Sequence, residues 1–376
     1  MKKQVYFLLT LLLLPHAIKS SVSLHFVTDK DFSEGIVQSV DWHTVENYTF
    51  LAYVGKNDAD RDVRVAKFKN MFNLDVRAEI NLFDNIGGKA TAVAWTNNGP
   101  RYLAVGGENN EKGKEIKIYN YKVYQGGNLE RRAYENMSRV NSLDWLRFNN
   151  MSYLAVGGFD DYRGQELRIY AYTNDTLIPV SGASFFHGEV NAVKWLTDAS
   201  HVYLAVGGYE TGSSVDTNTR IYQFDPNTNT LTLLDTQAYN FDTITSVAWV
   251  VNATNIYLAT TGSDKINNAQ IRLYDFNGIS LSFITQQSFD YGVIHSSDWL
   301  ISNGIMYLAV CGDDGVRENE IRLYLFDGSS LNMITSINLG LEIPLAIKWQ
   351  FVNGIPFLAV GTDGSRALKL YSLAIN

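Results

Sequence analysis

Apolar and polar residues follow one another in short segments along most of this chain. The segments are four to ten residues long and rich in β-branched and aromatic residues, and clusters of Gly, Asn and Asp separate them. This pattern predicts short β-strands joined by turns. Beyond the first twenty residues the sequence shows no sustained apolar period of 3.6 residues, so it predicts no long helix there.

The same four segments recur seven times, and every copy contains one tryptophan. A segment such as VNSLDW (140–145) ends at the tryptophan, and YLAVGG (153–158), LRIYAY (167–172) and a fourth apolar segment follow. The tryptophans are 50 to 54 residues apart: Trp42, Trp95, Trp145, Trp195, Trp249, Trp299 and Trp349. Seven units of four short strands predict an all-β, seven-bladed β-propeller with four antiparallel strands per blade. Because a single small sheet cannot bury both of its apolar faces, we expect each tryptophan to pack between neighbouring blades.

The two ends of the chain complement each other. The seventh unit stops after its third segment, LKLYSL (368–373), and so lacks a fourth strand. The segment SLHFVTDKDF (23–32) aligns with SLSFITQQSF (280–289), a fourth strand of another unit. We therefore predict that the N-terminal strand completes the last blade and closes the ring, so that residues 21–376 form one domain.

The first twenty residues have the composition of an export signal. Lys2 and Lys3 precede residues 5–14, which are apolar except for Thr10, and Pro15 follows. A run of this length is too short to span a bilayer comfortably but suits the apolar core of a signal peptide. We predict that residues 1–20 are a signal peptide, that the protein is exported to a periplasm or secreted, and that the mature chain does not insert into a membrane.

The repeat resembles that of the WD-repeat (WD40-like) family. The order V-x-S-V-x-W, LAVGG, acidic loop and I-R-I-Y carries the resemblance, which covers residues 23–373. It implies a binding scaffold for a protein or peptide rather than an enzyme. The chain departs from the family because tyrosine, or Ala66 in the first unit, replaces the usual Trp-Asp pair, and because Gly-His occurs only in reverse as His187-Gly188. Kelch propellers, with a period near fifty, are the alternative family.

Charge and cysteine content limit the partners. The formal net charge is −8, so we expect no nucleic-acid binding and no general attraction to anionic lipid. The single cysteine, Cys311, excludes a disulfide within one chain, and we expect it to be a small buried residue.

Charged residues also recur with the repeat. We predict that the basic residues of the third strands and the acids of the preceding loops form ion pairs within or between blades, or contacts to carbonyl groups. We also predict that lysines pair with carboxylates around the axis, Asp144 with Lys194 and Asp298 with Lys348. The basic residues are Arg64, Lys117, Arg168, Arg220, Arg272, Arg322 and Lys369. The acids include Asp58, Glu108, Asp160, Glu210, Asp264, Asp313 and Asp363. Closure of the ring is expected to bring Lys348 beside Asp41.

The sequence contains no recognisable catalytic motif. No two histidines have metal-ligand spacing, and there is no nucleophile elbow, phosphate loop or dinucleotide fingerprint. We therefore expect no catalytic residue, metal or cofactor, and interpret His295 as a polar first-strand residue. Recognition is expected on the variable loops of blades two to four. The candidate binding residues there are Phe159, Tyr162, Phe186, His187 and Tyr209.

The leading hypothesis is thus an exported, non-catalytic propeller that binds a protein or peptide partner. Two alternatives stay open from the residues alone. One is a propeller enzyme, similar to lactonases or glycosidases, with its site at the mouth of the channel. The other is a structural subunit of an envelope assembly.

Overall fold

The protein contains seven four-stranded antiparallel sheets arranged in a ring, as a computed structural model shows, and the predicted seven-bladed propeller is confirmed. The structure describes residues 22–375 except 33–34, 57–61, 71–72, 81–88, 97–100, 109–113, 124–126, 161–163, 187, 199, 211–216, 239–242, 254, 265 and 317, and the side chains of 69 and 70. The predicted signal peptide, residues 1–20, lies outside the described residues. Within the described part, no helix is long and apolar enough to cross a membrane.

The strands are numbered in chain order, and the blades are numbered by the tryptophan they contain. Blade 1 has β2 (Ile36–Val45), β3 (Tyr48–Lys56), β4 (Val63–Asn70) and β5 (Asn73–Ile80). Blade 2 has β6 (Lys89–Trp95), β7 (Tyr102–Glu108), β8 (Ile116–Lys122) and β9 (Asn128–Glu135). Blade 3 has β10 (Arg139–Phe148), β11 (Met151–Phe159), β12 (Leu167–Thr173) and β13 (Thr176–Ala183). Blade 4 has β14 (Glu189–Thr197), β15 (Val202–Tyr209), β16 (Thr219–Asp225) and β17 (Thr230–Gln237).

The remaining blades follow the same plan. Blade 5 has β18 (Ile244–Asn252), β19 (Asn255–Gly262), β20 (Ile271–Phe276) and β21 (Leu281–Gln287). Blade 6 has β22 (Val293–Ser302), β23 (Ile305–Asp313), β24 (Ile321–Phe326) and β25 (Leu331–Ile337). Blade 7 has β26 (Pro344–Val352), β27 (Ile355–Thr362), β28 (Leu368–Ile375) and, from the other end of the chain, β1 (Val22–Lys30).

The N-terminal strand closes the ring. β1 pairs antiparallel with β28, from Val22 opposite Ile375 to Lys30 opposite Leu368, and the strand order of blade 7 is β1-β28-β27-β26. The predicted closure by the N-terminal strand is therefore confirmed. Because β1 covers the outer edge of β28, blade 7 has four strands like the other blades and presents a complete face to blades 6 and 1.

The first strands of the blades surround the axis. Each contacts the first strand of the next blade, and β26 contacts β2 to complete the circle. They enclose an axial channel of about 180 Å³, which is lined by first-strand residues alone.

A separate apolar cluster fills each boundary between blades. At the boundary of blades 3 and 4, Ala155 and Ile169 pack against Val193, Trp195 and Leu204, and all five are buried. Each of the other six boundaries has an equivalent cluster. Since burial of one large aliphatic side chain contributes roughly 1.5–3 kcal/mol, the stability of each blade depends on both of its neighbours.

The seven tryptophans lie in these boundaries, as predicted. The indole N–H of Trp195 donates to the backbone oxygen of Asp144 in the preceding blade, at 3.2 Å. Four others make the same bond across their boundaries: Trp42 to Lys348, Trp145 to Ala94, Trp249 to Lys194 and Trp299 to Ala248. In the described structure the indole nitrogens of Trp95 and Trp349 are buried without a partner.

The paired glycines of YLAVGG allow two close approaches. A Cβ on Gly157 would lie 2.4 Å from Cγ1 of Val190 in the next blade, and a Cβ on Gly158 would lie 2.0 Å from the backbone oxygen of Arg139. The first glycine therefore permits tight packing between blades, and the second permits a bulged pairing with the inner strand.

Candidate functional site

Side chains of the first strands fasten each blade to the backbone of the next. In blade 3, Oγ of Ser142 accepts the N–H of Val193 at 3.1 Å, and Oδ2 of Asp144 accepts the N–H of Trp195 at 2.8 Å. The same two bonds join blade 1 to blade 2 through Ser39 and Asp41, and blade 6 to blade 7 through Ser296 and Asp298. The Ser and Asp that precede Trp42, Trp145 and Trp299 therefore have a structural use.

Both predicted lysine–carboxylate pairs around the axis are confirmed. Nζ of Lys194 lies 2.7 Å from Oδ1 of Asp144, and Nζ of Lys348 lies 3.0 Å from Oδ1 of Asp298. The lysine side chains keep 33% and 27% of their surface exposed, so solvent weakens the attraction. These pairs orient the side chains in the channel and contribute little net stability.

Asp41 has a different environment from the other two axial carboxylates. Its Oδ2 accepts the N–H of Trp95 at 2.7 Å, while Lys348 is bonded to Asp298. Burial raises the pKa of Asp41 to about 6, although Lys348 is close enough to lower it. Lys348 therefore acts on Asp41 through its charge, while its ion pair is formed with Asp298.

The two residues singled out for their chemistry are both enclosed. His295 lines the axial channel, and burial lowers the pKa of its imidazole. Cys311 is fully buried, which raises the pKa of its thiol and makes it a poor nucleophile at neutral pH. Among the described residues, no three His, Cys, Asp or Glu side chains are placed to hold a metal ion together.

The recurring third-strand cations are partnered. Arg220 forms an ion pair with Glu210, donates to the backbone oxygen of Ser184 at 2.8 Å, and lies over the ring of Phe185 at 3.9 Å. Equivalent ion pairs are Arg64–Glu79, Arg168–Asp160, Arg272–Asp264, Arg322 with Asp314 and Asp290, and Lys369–Glu342. The cations that recur with the repeat therefore form ion pairs within the protein. They do not form a ligand site that is repeated in every blade.

Three of the loop acids named from the sequence do not pair with the third-strand cation of their blade. Glu108 forms ion pairs with Lys89 and Arg139 instead. Asp313 accepts the N–H of Gly315, and Asp363 accepts the N–H of Ile343, so each caps a local turn. The cations of blades 6 and 7 pair with acids from the turns that precede the first strands, and Arg322 also pairs with the neighbouring Asp314. Asp58 lies outside the described residues.

The predicted binding face is the side of the disc that holds the loops between second and third strands and the turns into the first strands; we call it the loop face. Arg139 and Phe159 pair at this end of β10 and β11, as Glu189 and Tyr209 pair at this end of β14 and β15. Arg139 forms an ion pair with Glu189 and lies 5.9 Å from the ring of Phe159. Phe159 and Tyr209, both half-buried, are therefore brought to neighbouring positions on adjacent blades.

Phe186 is the exposed member of the predicted set. It is 59% exposed, its backbone φ is 49°, and its ring lies 6.0 Å from the guanidinium carbon of Arg220. The buried neighbour Phe185 holds the turn between blades 3 and 4. Tyr162 and His187 lie outside the described residues.

The sequence reasoning missed a second group of apolar residues on the loop face. Ile266, Tyr291, Val316 and Leu341 are 71%, 62%, 59% and 80% exposed, on blades 5 to 7. The backbone N–H of Tyr291 donates to Asn268 at 3.0 Å, and Gly315 adjoins the backbone oxygen of Asp290. Tyr291 therefore lies between the loops that carry Ile266 and Val316. In the sequence, these residues could have been recognised as apolar residues within otherwise polar loops.

No protein-family model matches this chain, and the comparison with curated proteins finds no match. The seven-bladed propeller is therefore established by its strand order, and the resemblance to a family rests on the repeats themselves.

Proposed function

We propose that this protein is a non-catalytic platform that binds a protein partner on its loop face. The observation that carries the proposal is the row of exposed apolar side chains at Ile266, Tyr291, Val316 and Leu341. Scattered apolar residues are normal on a protein surface, but a group on neighbouring loops of a rigid scaffold is typical of an interaction surface. Large side chains that lose water on binding supply most of the affinity of such surfaces.

Phe159, Phe186 and Tyr209 extend the proposed surface onto blades 3 and 4. Phe159 and Phe186 have contacts within the protein, since Arg139 and Arg220 lie beside their rings. A partner would therefore meet aromatic groups that are ordered before binding, which lowers the entropic cost of association.

The repeats support assignment to the WD-repeat type. In place of the usual third-strand tryptophan, Tyr170 and Tyr222 accept hydrogen bonds from Arg168 and Arg220 at 3.5 and 3.4 Å. An arginine, a tyrosine and an acid thus interact on the third strand, where the family usually has its Trp-Asp pair, and the chain would be a divergent member.

The N-terminal segment supports export to a periplasm or to the outside of the cell. The lysines and apolar run of residues 1–20 are the basis of this part of the proposal. N-terminal sequencing of protein recovered from cell fractions tests it: a chain that begins near residue 21 in an exported fraction is expected, and an intact N-terminus in the cytoplasm would refute export.

The binding proposal is tested by substitutions that place a charge on the loop face. Leu341→Asp and Ile266→Asp are expected to reduce binding of the partner about tenfold or more, because a carboxylate cannot be desolvated cheaply there. The partner is first identified by cross-linking in the native host and is then purified, and affinities are measured with the isolated proteins. Phe283→Asp is the matched control, since Phe283 is 56% exposed on the fourth strand of blade 5. Equal loss from all three variants, or no loss from the first two, would contradict a partner on the loop face.

A further inference from the structure

A second concave surface lies at the opposite end of the axial channel from the loop face. In blade 3, Arg139 and Phe159 mark the loop-face end of β10 and β11, and Phe148 and Met151 pair at the other end. A cavity of about 900 Å³ opens at that other end. We call it the mouth cavity; its lining includes Thr44, Thr96, Arg147, Asn150, Thr197 and Gln350.

The lining of the mouth cavity breaks the symmetry of the repeat. The two positions after each tryptophan lie towards this end of the first strands, and duplication alone would make them alike. They include Thr44, Thr96, Arg147 and Gln350 in blades 1, 2, 3 and 7, which line the cavity. In blades 5 and 6 the same positions are apolar: Val250, Val251, Leu300 and Ile301. The repeat does not account for the polar residues on this side of the ring, which we call the polar sector. We therefore expect a ligand site there.

Arg147 is the centre of this sector. It is half-buried on β10, and it makes no hydrogen bond or ion pair with any residue that the structure describes. The recurring third-strand arginines, in contrast, are paired with acids. A guanidinium that is partly withdrawn from water without an anion is well suited to bind a carboxylate through two parallel hydrogen bonds.

The carboxylate in the mouth cavity does not compete for Arg147. Both oxygens of Asp144 are occupied, by Lys194 and by the N–H of Trp195, and the charge of Lys194 offsets that of Asp144. His43 also lines the cavity, and burial lowers its pKa to about 4, so its imidazole is neutral at pH 7. The lining is therefore locally positive in a protein whose net charge is −8.

The rest of the lining favours a ligand with many hydroxyl groups. Thr44 and Thr197 offer hydroxyls, and Asn149, Asn150 and Gln350 offer amides, which both donate and accept. The hydroxyl of Thr96 is buried and bonded to the backbone of Tyr102, so it shapes the wall of the cavity. The volume falls within the range of about 300–1,000 Å³ that is usual for small-molecule sites. We infer that the mouth cavity binds a sugar acid, with its carboxylate on Arg147 and its hydroxyls on the surrounding amides and hydroxyls.

Calorimetric titration of the purified protein with glucuronate and with glucose tests this inference, because the two sugars differ in the carboxylate. Glucuronate is expected to bind saturably and about tenfold or more tighter than glucose. Acetate serves as the third titrant: a site that takes any carboxylate would bind acetate as well as glucuronate, and that result would refute recognition of the sugar. Trp145 and Trp195 line the cavity, so tryptophan fluorescence gives an independent readout.

Arg147→Gln is expected to weaken glucuronate binding about tenfold or more while leaving thermal stability and the weaker binding of glucose unchanged. Arg131→Gln, on the fourth strand of blade 2, and Leu341→Asp, on the loop face, are expected to bind glucuronate normally. Absence of saturable glucuronate binding, or equal affinity in Arg147→Gln and the unaltered protein, would overturn the inference without affecting the proposed function of the loop face.

Discussion

Lys194 donates a 2.7 Å hydrogen bond to Oδ1 of Asp144 across the boundary of blades 3 and 4. The other oxygen of Asp144 accepts the backbone N–H of Trp195. One carboxylate therefore satisfies a side chain and a strand of the next blade, and Asp298 repeats the arrangement with Lys348 and Trp349. The position of each blade about the axis is set partly by such polar contacts, in addition to its apolar faces.

Removal of the Asp144 carboxylate is expected to destabilise the propeller. Asp144→Ala leaves the N–H of Trp195 without its acceptor, which should lower the free energy of unfolding by about 1–3 kcal/mol. Asp144→Asn keeps an oxygen acceptor for that N–H and should cost less. Urea denaturation of both variants measures the difference, and an alanine variant as stable as the asparagine variant would show that the backbone bond contributes nothing.

Two tryptophans allow the indole hydrogen bond to be measured separately from packing. Trp195 and Trp349 are 7% and 6% exposed. Of these two, Trp195 donates an indole hydrogen bond, whereas the indole nitrogen of Trp349 has no partner in the described structure. Trp195→Phe should therefore destabilise the protein by about 1 kcal/mol more than Trp349→Phe, because phenylalanine cannot donate a hydrogen bond to the backbone oxygen of Asp144. Thermal unfolding of both variants checks this, and equal losses would mean that packing alone holds the tryptophans.

Closure of the ring by the N-terminal segment depends on Phe32. Phe32 is fully buried against Tyr53 and Arg64 of blade 1, while Phe26 on the same segment is 56% exposed. Phe32→Ala is expected to cost about 3–5 kcal/mol and Phe26→Ala less than about 1 kcal/mol. Chemical denaturation gives both values. Similar small losses would indicate that the segment adds little to the stability of the ring.

Asp41 should give the protein a component of stability that decreases as the pH rises. Its pKa is raised to about 6 by burial, above the value of about 3.9 in an unfolded chain, so the folded state binds this proton more tightly. The favourable contribution is complete below about pH 4 and is lost as the pH rises through about 6. Asp41→Asn should therefore gain about 1–3 kcal/mol relative to the unaltered protein between about pH 4 and pH 8.

The difference between Asp41→Asn and the unaltered protein is measured by urea denaturation across that pH range. Asp298→Asn is the comparison, because Asp298 is ion-paired with Lys348 and its substitution should therefore bring no gain in stability. A constant difference for Asp41→Asn at every pH would show that its carboxyl group titrates alike in the folded and unfolded states.

The repeat in the sequence was sufficient to predict the blades. Spacing of the tryptophans predicted seven units, and the alignment of 23–32 with 280–289 predicted that β1 completes blade 7. Both predictions depend on backbone periodicity and on apolar faces that must be buried. Both properties are encoded within a single unit, so the same prediction can be made from each of the seven copies.

The sequence could not assign the partners of individual charges. Lys369 pairs with Glu342 and not with Asp363, because the turn into β26 lies within reach of the third strand of its blade. Arg322 likewise takes Asp290 and Asp314 in preference to Asp313. The choice depends on where the loop of a blade and the turn into its first strand lie in space relative to the third strand, and the order of residues does not give these distances.

The sequence by itself thus determined the number of blades, the closing strand and the buried place of each tryptophan, because a repeated sheet with two apolar faces must bury each face against a neighbouring copy. Only the tertiary structure decided which residues are left for recognition. It placed Tyr291 between two apolar loops on one side of the disc and Arg147 in a polar cavity on the other. Exposure and the lack of a partner are properties of what surrounds a side chain in space, and the order of residues along the chain does not contain them.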